Sequence, residues 1–315
     1  MSSIPQKQEL IETYNRIKPF IYRTPILTSS LLNEITGTDI FFKCENFQKM
    51  GAFKMRGAVN AILQLSDKQK KAGVVTHSSG NFAQALSLAA KNIGVKAYIV
   101  MPENAPLVKK EAVKGYGGII TESKSTLQDR ENQAKKIKEK TGATFIHPSN
   151  DLNVILGQST AAMELLEEHP NLDYVLTPVG GGGLLAGTAL AVHYFGKTCE
   201  TIAGEPFEAD DAYRSLRTGK IEFNDSANTI ADGLKTNLGD KNFPIIKEMV
   251  SEIIRVEENE IITAMKLIWE RMKIIVEPSS AVPFAVVLKN KERFINKKTG
   301  IILSGGNVDL LRLPF

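Results

Sequence analysis

Apolar positions along the middle of the chain alternate between two periods. "AGVVTH", residues 72–77, is a short β-rich run that reads as a buried strand. In the following "NFAQALSLAAKNIG", Phe82, Ala85, Leu86, Ala89, Ala90 and Ile93 repeat at helical spacing, and Gly94 supplies the stop. The alternation continues through "KAYIVM" (strand), Pro106 to Lys114 (helix), "GIITES" (strand), Thr126 to Lys140 (helix) and "ATFIH" (strand). A helical pattern from Val154 to Glu168 leads to the strand "DYVLTPV", a helix from Leu184 to Tyr194 and the strand "TIAGE". Strands separated by helices of this length need crossover connections, which predicts an α/β chain with a largely parallel, doubly wound sheet. Between Asp210 and Asn242 the periodicity fades and turn formers collect, as in a long functional loop with short helical pieces. A helix returns from Glu258 to Met272, "VEPSSAVPFAVVLKN" predicts another, and "GIILSGGN" closes with a strand and a glycine turn.

Composition narrows the class without naming a function. The chain has 315 residues, 43% hydrophobic and 23% charged, enough for one large or two ordinary soluble domains. Its 39 basic and 35 acidic residues leave +4. The densest basic run, "KKIKEK" at Lys135 to Lys140, lies on a helical pattern and reads as a solvated face, so nothing points to nucleic acid. Cys44 and Cys199 have neither metal-type spacing nor a disulfide framework. No apolar run reaches membrane length, and "MSSIPQKQEL" lacks the apolar core of a signal peptide. A cytoplasmic, reducing setting away from membranes is therefore expected.

The strongest local signal is "TPVGGGGLLAG". Gly180 to Gly183 follow a predicted strand and open a predicted helix. Successive glycines allow the backbone to aim several N–H groups at one point, beside the positive end of the helix, so the loop suits a phosphate. Gly181, Gly183 and Ala186 also satisfy G-x-G-x-x-A, and Glu205 lies near the distance of a ribose-binding acid, which keeps an NAD(P)-dependent oxidoreductase open. "HSSGN" (His77 to Asn81), "HPSND" (His147 to Asp151) and "SGGN" (Ser304 to Asn307) stand at the ends of predicted strands, where open parallel sheets bind ligands. Lys54 is set between Phe53 and Met55 in "GAFKMRGA". A lysine so placed either covers apolar surface with its stem or presents an amine held out of water, available as a nucleophile.

"GAFKMRGA", "HSSGNFAQAL", "GGGGLLAG", "GEPFEADDAY", "TIADGLKT" and "LSGGNVDL" occur in an order that resembles the fold-type II pyridoxal-phosphate enzymes over nearly the whole chain. More narrowly, the chain is similar to their serine racemase and serine/threonine dehydratase branch. The resemblance implies a tryptophan synthase β-like fold of two doubly wound parallel-sheet domains with the active site between them. Residues 1–72 and 149–315 would form the large cofactor-binding domain and 73–148 the small one. It also demotes the oxidoreductase reading, because a dehydrogenase has no use for the lysine segment.

The resemblance assigns roles as well. Lys54 would hold pyridoxal 5'-phosphate covalently and, once displaced by substrate, act as base at the α-carbon. Phe53 would pack on the cofactor ring, Gly180, Gly181, Gly182, Gly183 and Leu184 would bind its phosphate, Asn81 its hydroxyl and Ser304 its pyridine nitrogen. Ser78, Ser79, Asn81 and Arg130 would hold the substrate, with Ser79 supplying a proton from the face opposite Lys54. Racemisation of serine with dehydration of serine or threonine is the implied activity, a pure serine/threonine or 3-hydroxyaspartate dehydratase the alternative. Glu205, Asp211 and the Ala209 carbonyl would bind Mg²⁺, Mn²⁺ or Ca²⁺, and the family suggests a homodimer. Phe82 departs from the histidine common in the family after S-S-G-N and makes the pocket more apolar. His77 and His147 read as structural.

Overall fold

The structure, a computed structural model, describes residues 4–105 and 107–315. Its strands are β1 (Ile26–Leu27), β2 (Asp39–Cys44), β3 (Val74–His77), β4 (Ala97–Pro102), β5 (Ile119–Ser123), β6 (Thr144–Phe145), β7 (Tyr174–Pro178), β8 (Glu200–Pro206), β9 (Glu252–Val256) and β10 (Lys298–Leu303). They form two sheets. The larger has the order β1-β2-β10-β7-β8-β9, the smaller β5-β4-β3-β6. Every pairing is parallel except β1 on β2 at the edge of the larger sheet. The expected doubly wound architecture is thus present twice.

Helix ends follow local chemistry. The helix Leu127–Thr141 starts where the Thr126 hydroxyl accepts the Asp129 N–H, and Gly142 ends it in the left-handed conformation. The helix Leu152–Glu168 starts two residues before its apolar pattern does, because the Asp151 carboxylate caps the N–H groups of Asn153 and Val154. Of the helix expected from Pro106 to Lys114, Leu107–Gly115 is observed and Pro106 lies outside the described residues.

One sequence expectation needs correction, and one strand was not anticipated. The strand drawn as "ATFIH" pairs only at Thr144 and Phe145, since the chain turns at His147 to place "HPSND" against the larger domain. The weakly patterned stretch after Asp210 carries the helices Asp211–Thr218 and Phe243–Met249, and beyond it lies edge strand β9. A short edge strand with only Ile253 and Val256 buried gives no continuous apolar run for periodicity to find.

Behind the segment bearing Lys54 lies a fully buried ionic cluster. The Arg56 guanidinium donates to Glu45 at 2.7 and 2.8 Å and to Glu164 at 2.9 and 2.8 Å, and Lys43 Nζ lies 2.6 Å from Glu164. Two cations facing two carboxylates satisfy one another where an unpaired charge would be costly. The cluster ties β2, the helix Lys54–Leu63 and the helix Leu152–Glu168 together.

Candidate active site

Three neighbouring strands of the larger sheet deliver the site. β2, β10 and β7 are adjacent and parallel, so the loops after them leave the same edge. After β2 comes the turn to Lys54, after β10 Ser304 to Asn307, and after β7 Gly180 to Gly183. The chain reaches Lys54 through two successive left-handed residues, Met50 (φ 58°) and Gly51 (φ 76°). Such a conformation in a methionine has to be held from outside. Asn307 Nδ2 donates to the Met50 carbonyl at 2.9 Å, and Gly306 N–H to that of Gly51 at 2.9 Å. Phe53 N–H donates to the Ser304 carbonyl at 3.0 Å, so "GAFK" and "SGGN" are laced side by side.

Lys54 opens its helix, half-buried, with Nζ 2.8 Å from the Pro148 carbonyl and 4.9 Å and 5.7 Å from the ring centres of Phe53 and Phe82. Burial pushes its pKa down to about 8, against the opposing charge of Glu277. Of the two readings open for this lysine, the structure favours the amine withdrawn from water. The turn that presents Pro148 is organised by His147, whose Nδ1 accepts the N–H groups of Ser149 (3.2 Å) and Asn150 (2.8 Å). Burial, with help from His77 and Lys54, lowers the His147 pKa to about 4, so it stays a neutral acceptor.

The glycine loop forms an empty-handed set of donors. Gly180 to Leu184 are buried, yet among the described residues no protein acceptor takes their backbone N–H groups. Buried N–H groups normally find partners, so five in succession at a helix start suit an anion. Side chains are excluded here. A Cβ on Gly181 would lie 2.4 Å from Ser149 Oγ, one on Gly183 2.9 Å from Ser149 Cα, and Gly182 adopts φ 79°. Close packing on Ser149 and Leu238 thus requires glycine here, and the buried N–H groups left without protein acceptors fit a cofactor phosphate.

The smaller sheet supplies the rest. Ser78, Ser79 and Asn81 follow β3, and Ser78 Oγ accepts the Gly80 N–H at 3.3 Å. Asn81 Nδ2 donates to both oxygens of Glu277 (2.9 and 3.1 Å) while its Oδ1 accepts from Asn307 at 2.9 Å. Burial, then the charge of Asp232, raises the Glu277 pKa to about 7. Ser304 is buried with its Oγ 3.2 Å from Ser280 Oγ. Arg130 stands apart from this lacing: its Nε contacts only the Thr126 carbonyl one turn back. Glu277, Asn307, Pro148 and Ser280 were not legible as site residues. The first precedes a helix start without capping it and the second ends the glycine turn after β10, but only the meeting of the two sheets gives them a purpose.

At the end of β8, Glu205 is fully buried and its two oxygens accept the N–H groups of Ala212 (2.9 Å) and Tyr213 (2.7 Å). A ribose would find no free carboxylate there, which removes the structural basis for the nicotinamide reading. Burial and then the neighbouring Asp211 raise the Glu205 pKa well above normal, and burial pushes Asp211 up to about 7. Asp211 Oδ1 accepts from Asn224 at 2.7 Å, while Oδ2 is buried and among the described residues has no hydrogen-bond partner. Ala209 is buried alongside in the same turn. Among the described residues no group of three or more His, Cys, Asp or Glu is gathered as for a metal, so any cation here would draw on main-chain and water oxygens as well.

Fold and site define an α/β enzyme that takes a phosphate-bearing cofactor between two parallel sheets, beside a lysine of lowered pKa. The chain belongs to the pyridoxal-phosphate dependent enzyme family, whose pattern matches residues 17–305. It is 52% identical over 307 residues to a serine racemase of Dictyostelium discoideum, covering 96% of this chain and 95% of that one. It is 50% identical over 312 residues to a β-hydroxyaspartate dehydratase of Paracoccus denitrificans, covering 99% of each. The crystal structure of serine racemase from D. discoideum superposes with a TM-score of 0.94 at 51% identity, covering 98% of this chain and 100% of that one.

Proposed function

We propose that this protein interconverts L- and D-serine and also eliminates water from L-serine, giving pyruvate and ammonia, with threonine giving 2-oxobutyrate. The observation that carries the reading is the Lys54 amine of lowered pKa, 5.7 Å from the ring of Phe82, which lies in the first turn of the helix that directly follows the Ser78–Ser79 turn. Inversion of a carbon needs proton transfer on both faces, and two protic groups from two sheets fit that need. Pyridoxal 5'-phosphate, when bound, supplies the electron sink for the electron pair of the α C–H bond.

In this reading Lys54 holds the cofactor and takes the α-proton from L-serine, and Ser79 returns a proton to the other face. Gly180 to Leu184 donate to the phosphate, Phe53 lines the ring, Asn81 binds the ring hydroxyl and Ser304 the pyridine nitrogen. A serine hydroxyl does not keep that nitrogen protonated as a carboxylate would, so negative charge on the α-carbon is brief. Either a proton returns to the α-carbon, or the α C–H electron pair forms the Cα=Cβ bond as the β C–O bond breaks and the hydroxyl leaves as water with the proton that Lys54 took. Ser78, Ser79 and Asn81 hold the substrate carboxylate, whereas Arg130, expected among them, donates instead to the Thr126 carbonyl. The similarity to a β-hydroxyaspartate dehydratase supports a second reading, elimination from 3-hydroxyaspartate, and Phe82, packed 5.7 Å from the Lys54 amine, is the residue that shapes this choice. A cytoplasmic homodimer with domains 1–72 plus 149–315 and 73–148 belongs to the same proposal.

The test is direct. The purified protein should be yellow, borohydride should fix the cofactor on Lys54, and L-serine should yield D-serine and pyruvate together. Turnover of 3-hydroxyaspartate with no D-serine from serine would favour the second reading; a colourless protein that takes up no cofactor would sink both.

Glu205, Asp211 and the Ala209 carbonyl are proposed as the ligands of Mg²⁺, Mn²⁺ or Ca²⁺, supported by two buried carboxylates, the charge of Asp211 opposing that of Glu205, and by Asp211 Oδ2, which has no hydrogen-bond partner among the described residues. At about a hundredfold excess over its dissociation constant, a cation bound only by the folded chain adds about 2.7 kcal/mol. In a chain of this size that is roughly 5 °C of melting temperature. Chelator-treated protein should gain that shift on adding Mg²⁺ or Ca²⁺, and Asp211→Asn should abolish the gain.

A further inference from the structure

Asn242 lies in the stretch whose pattern faded, at the start of the short helix Phe243–Met249, and is fully buried. All of its side chain is used. Nδ2 donates to the Gly181 carbonyl at 2.8 Å and to the Ser149 carbonyl at 3.3 Å, and Oδ1 accepts the Gly239 N–H at 3.0 Å. Two carbonyls on one side and an N–H on the other also fix which way round the amide sits.

The consequence follows from the planarity of the peptide. No peptide bond among the described residues is cis, so the C=O of Gly181 and the N–H of Gly182 point in opposite directions. Drawing the Gly181 carbonyl onto Asn242 therefore turns the Gly182 N–H away from Asn242 and leaves it among the buried loop donors that no protein acceptor takes. The second carbonyl obeys the same rule. With the Ser149 C=O on Asn242, the Asn150 N–H of that peptide points away and is taken by His147 Nδ1 at 2.8 Å. A glycine peptide flanked by φ 79° at Gly182 has little intrinsic preference between orientations, so something outside it must choose.

We propose that Asn242 is a positioning residue that sets the orientation of the Gly181–Gly182 peptide and so assembles the phosphate-binding donors before the cofactor arrives. It touches neither substrate nor cofactor in this scheme; its effect runs through the main chain. The inference rests on the proposed use of pyridoxal 5'-phosphate and deepens it.

A role confined to phosphate binding separates from a general structural role by comparing two ligands. Full-length protein freed of cofactor is titrated with pyridoxal 5'-phosphate and with pyridoxal, which lacks the phosphate, following the visible band. Asn242→Ala should weaken pyridoxal 5'-phosphate by about tenfold or more, the worth of one or two lost buried hydrogen bonds. Pyridoxal affinity should change by no more than about twofold, within the variation expected of a site left otherwise intact. Should the alanine variant fail to fold, Asn242→Leu, of similar shape, fills the space without donors and should show the same selective loss. Equal weakening of both ligands, or no weakening of either, would overturn the proposal. A wild-type protein that takes up neither ligand would instead overturn the cofactor assignment itself, so the two failures are distinguishable.

Discussion

Lys54→Ala should abolish both D-serine and pyruvate formation, lowering each by about 10⁴-fold or more, because it removes the cofactor's anchor and the proton acceptor together. The fold should not suffer. Below pH about 8 the folded chain holds a charged amine at a desolvation cost, since its pKa is lowered from 10.5 to about 8. A base whose folded pKa is depressed destabilises the fold most at low pH, and this penalty fades as pH rises from about 8 toward 10.5. Removing the amine therefore leaves the melting temperature of cofactor-free protein at pH 7 equal to wild type or higher. The same lowered pKa predicts how the wild type captures its cofactor. At pH 7 roughly 10% of the Lys54 amine is neutral, against about 0.03% of an ordinary lysine. The rate of appearance of the visible band should rise with pH and level off above about 8. A rate that kept climbing toward 10.5 would show Lys54 to be an ordinary solvated amine.

Ser79→Ala should separate the two reactions. Racemisation needs a proton returned to the face opposite the one attacked, and loss of a positioned acid or base costs about 10²–10⁴-fold. Elimination from L-serine needs only the α-proton removed and the hydroxyl released, both on the Lys54 side of the scheme. D-serine formation should therefore fall by that factor while pyruvate formation stays within about tenfold of wild type, an effect on one step only. Parallel measurement of D-serine by chiral chromatography and of pyruvate by a coupled assay decides the matter. Equal loss of both products would refute two-faced proton transfer and return Ser79 to the role of a substrate-binding hydroxyl. Phe82 colours the same experiment. It is almost fully buried against the Lys54 amine, so Phe82→His puts a hydrogen-bonding ring where this chain has an apolar one.

Much of this was legible in the residue order. The alternation of strand and helix periods already required parallel crossovers, because a chain cannot return to the same sheet edge otherwise. The run Gly180 to Gly183 announced a phosphate loop, since only glycine permits main chain to approach Ser149 and Leu238 as closely as it does here. Lys54 was visible as a lysine in apolar company but undecided between stem and amine. The ambiguity was real: hydrophobic neighbours in sequence do not say where the tip of a long side chain ends.

Sequence by itself determined the class of fold, the glycine cradle, the cluster of polar turns at strand ends and, by resemblance, a cofactor to join them. Tertiary structure decided what those turns do to one another. The order β2-β10-β7 brings the lysine, serine and glycine loops to one edge although they are far apart in the chain. The Pro148 carbonyl, Glu277, Asn307 and Asn242 enter the site only through that juxtaposition. The physical reason is that periodicity records which faces are buried, whereas a hydrogen bond between distant loops leaves no period behind. A pKa of about 8 for Lys54 and an Asn242 holding a glycine peptide in one orientation are products of close packing between segments, and no window of sequence contains both partners.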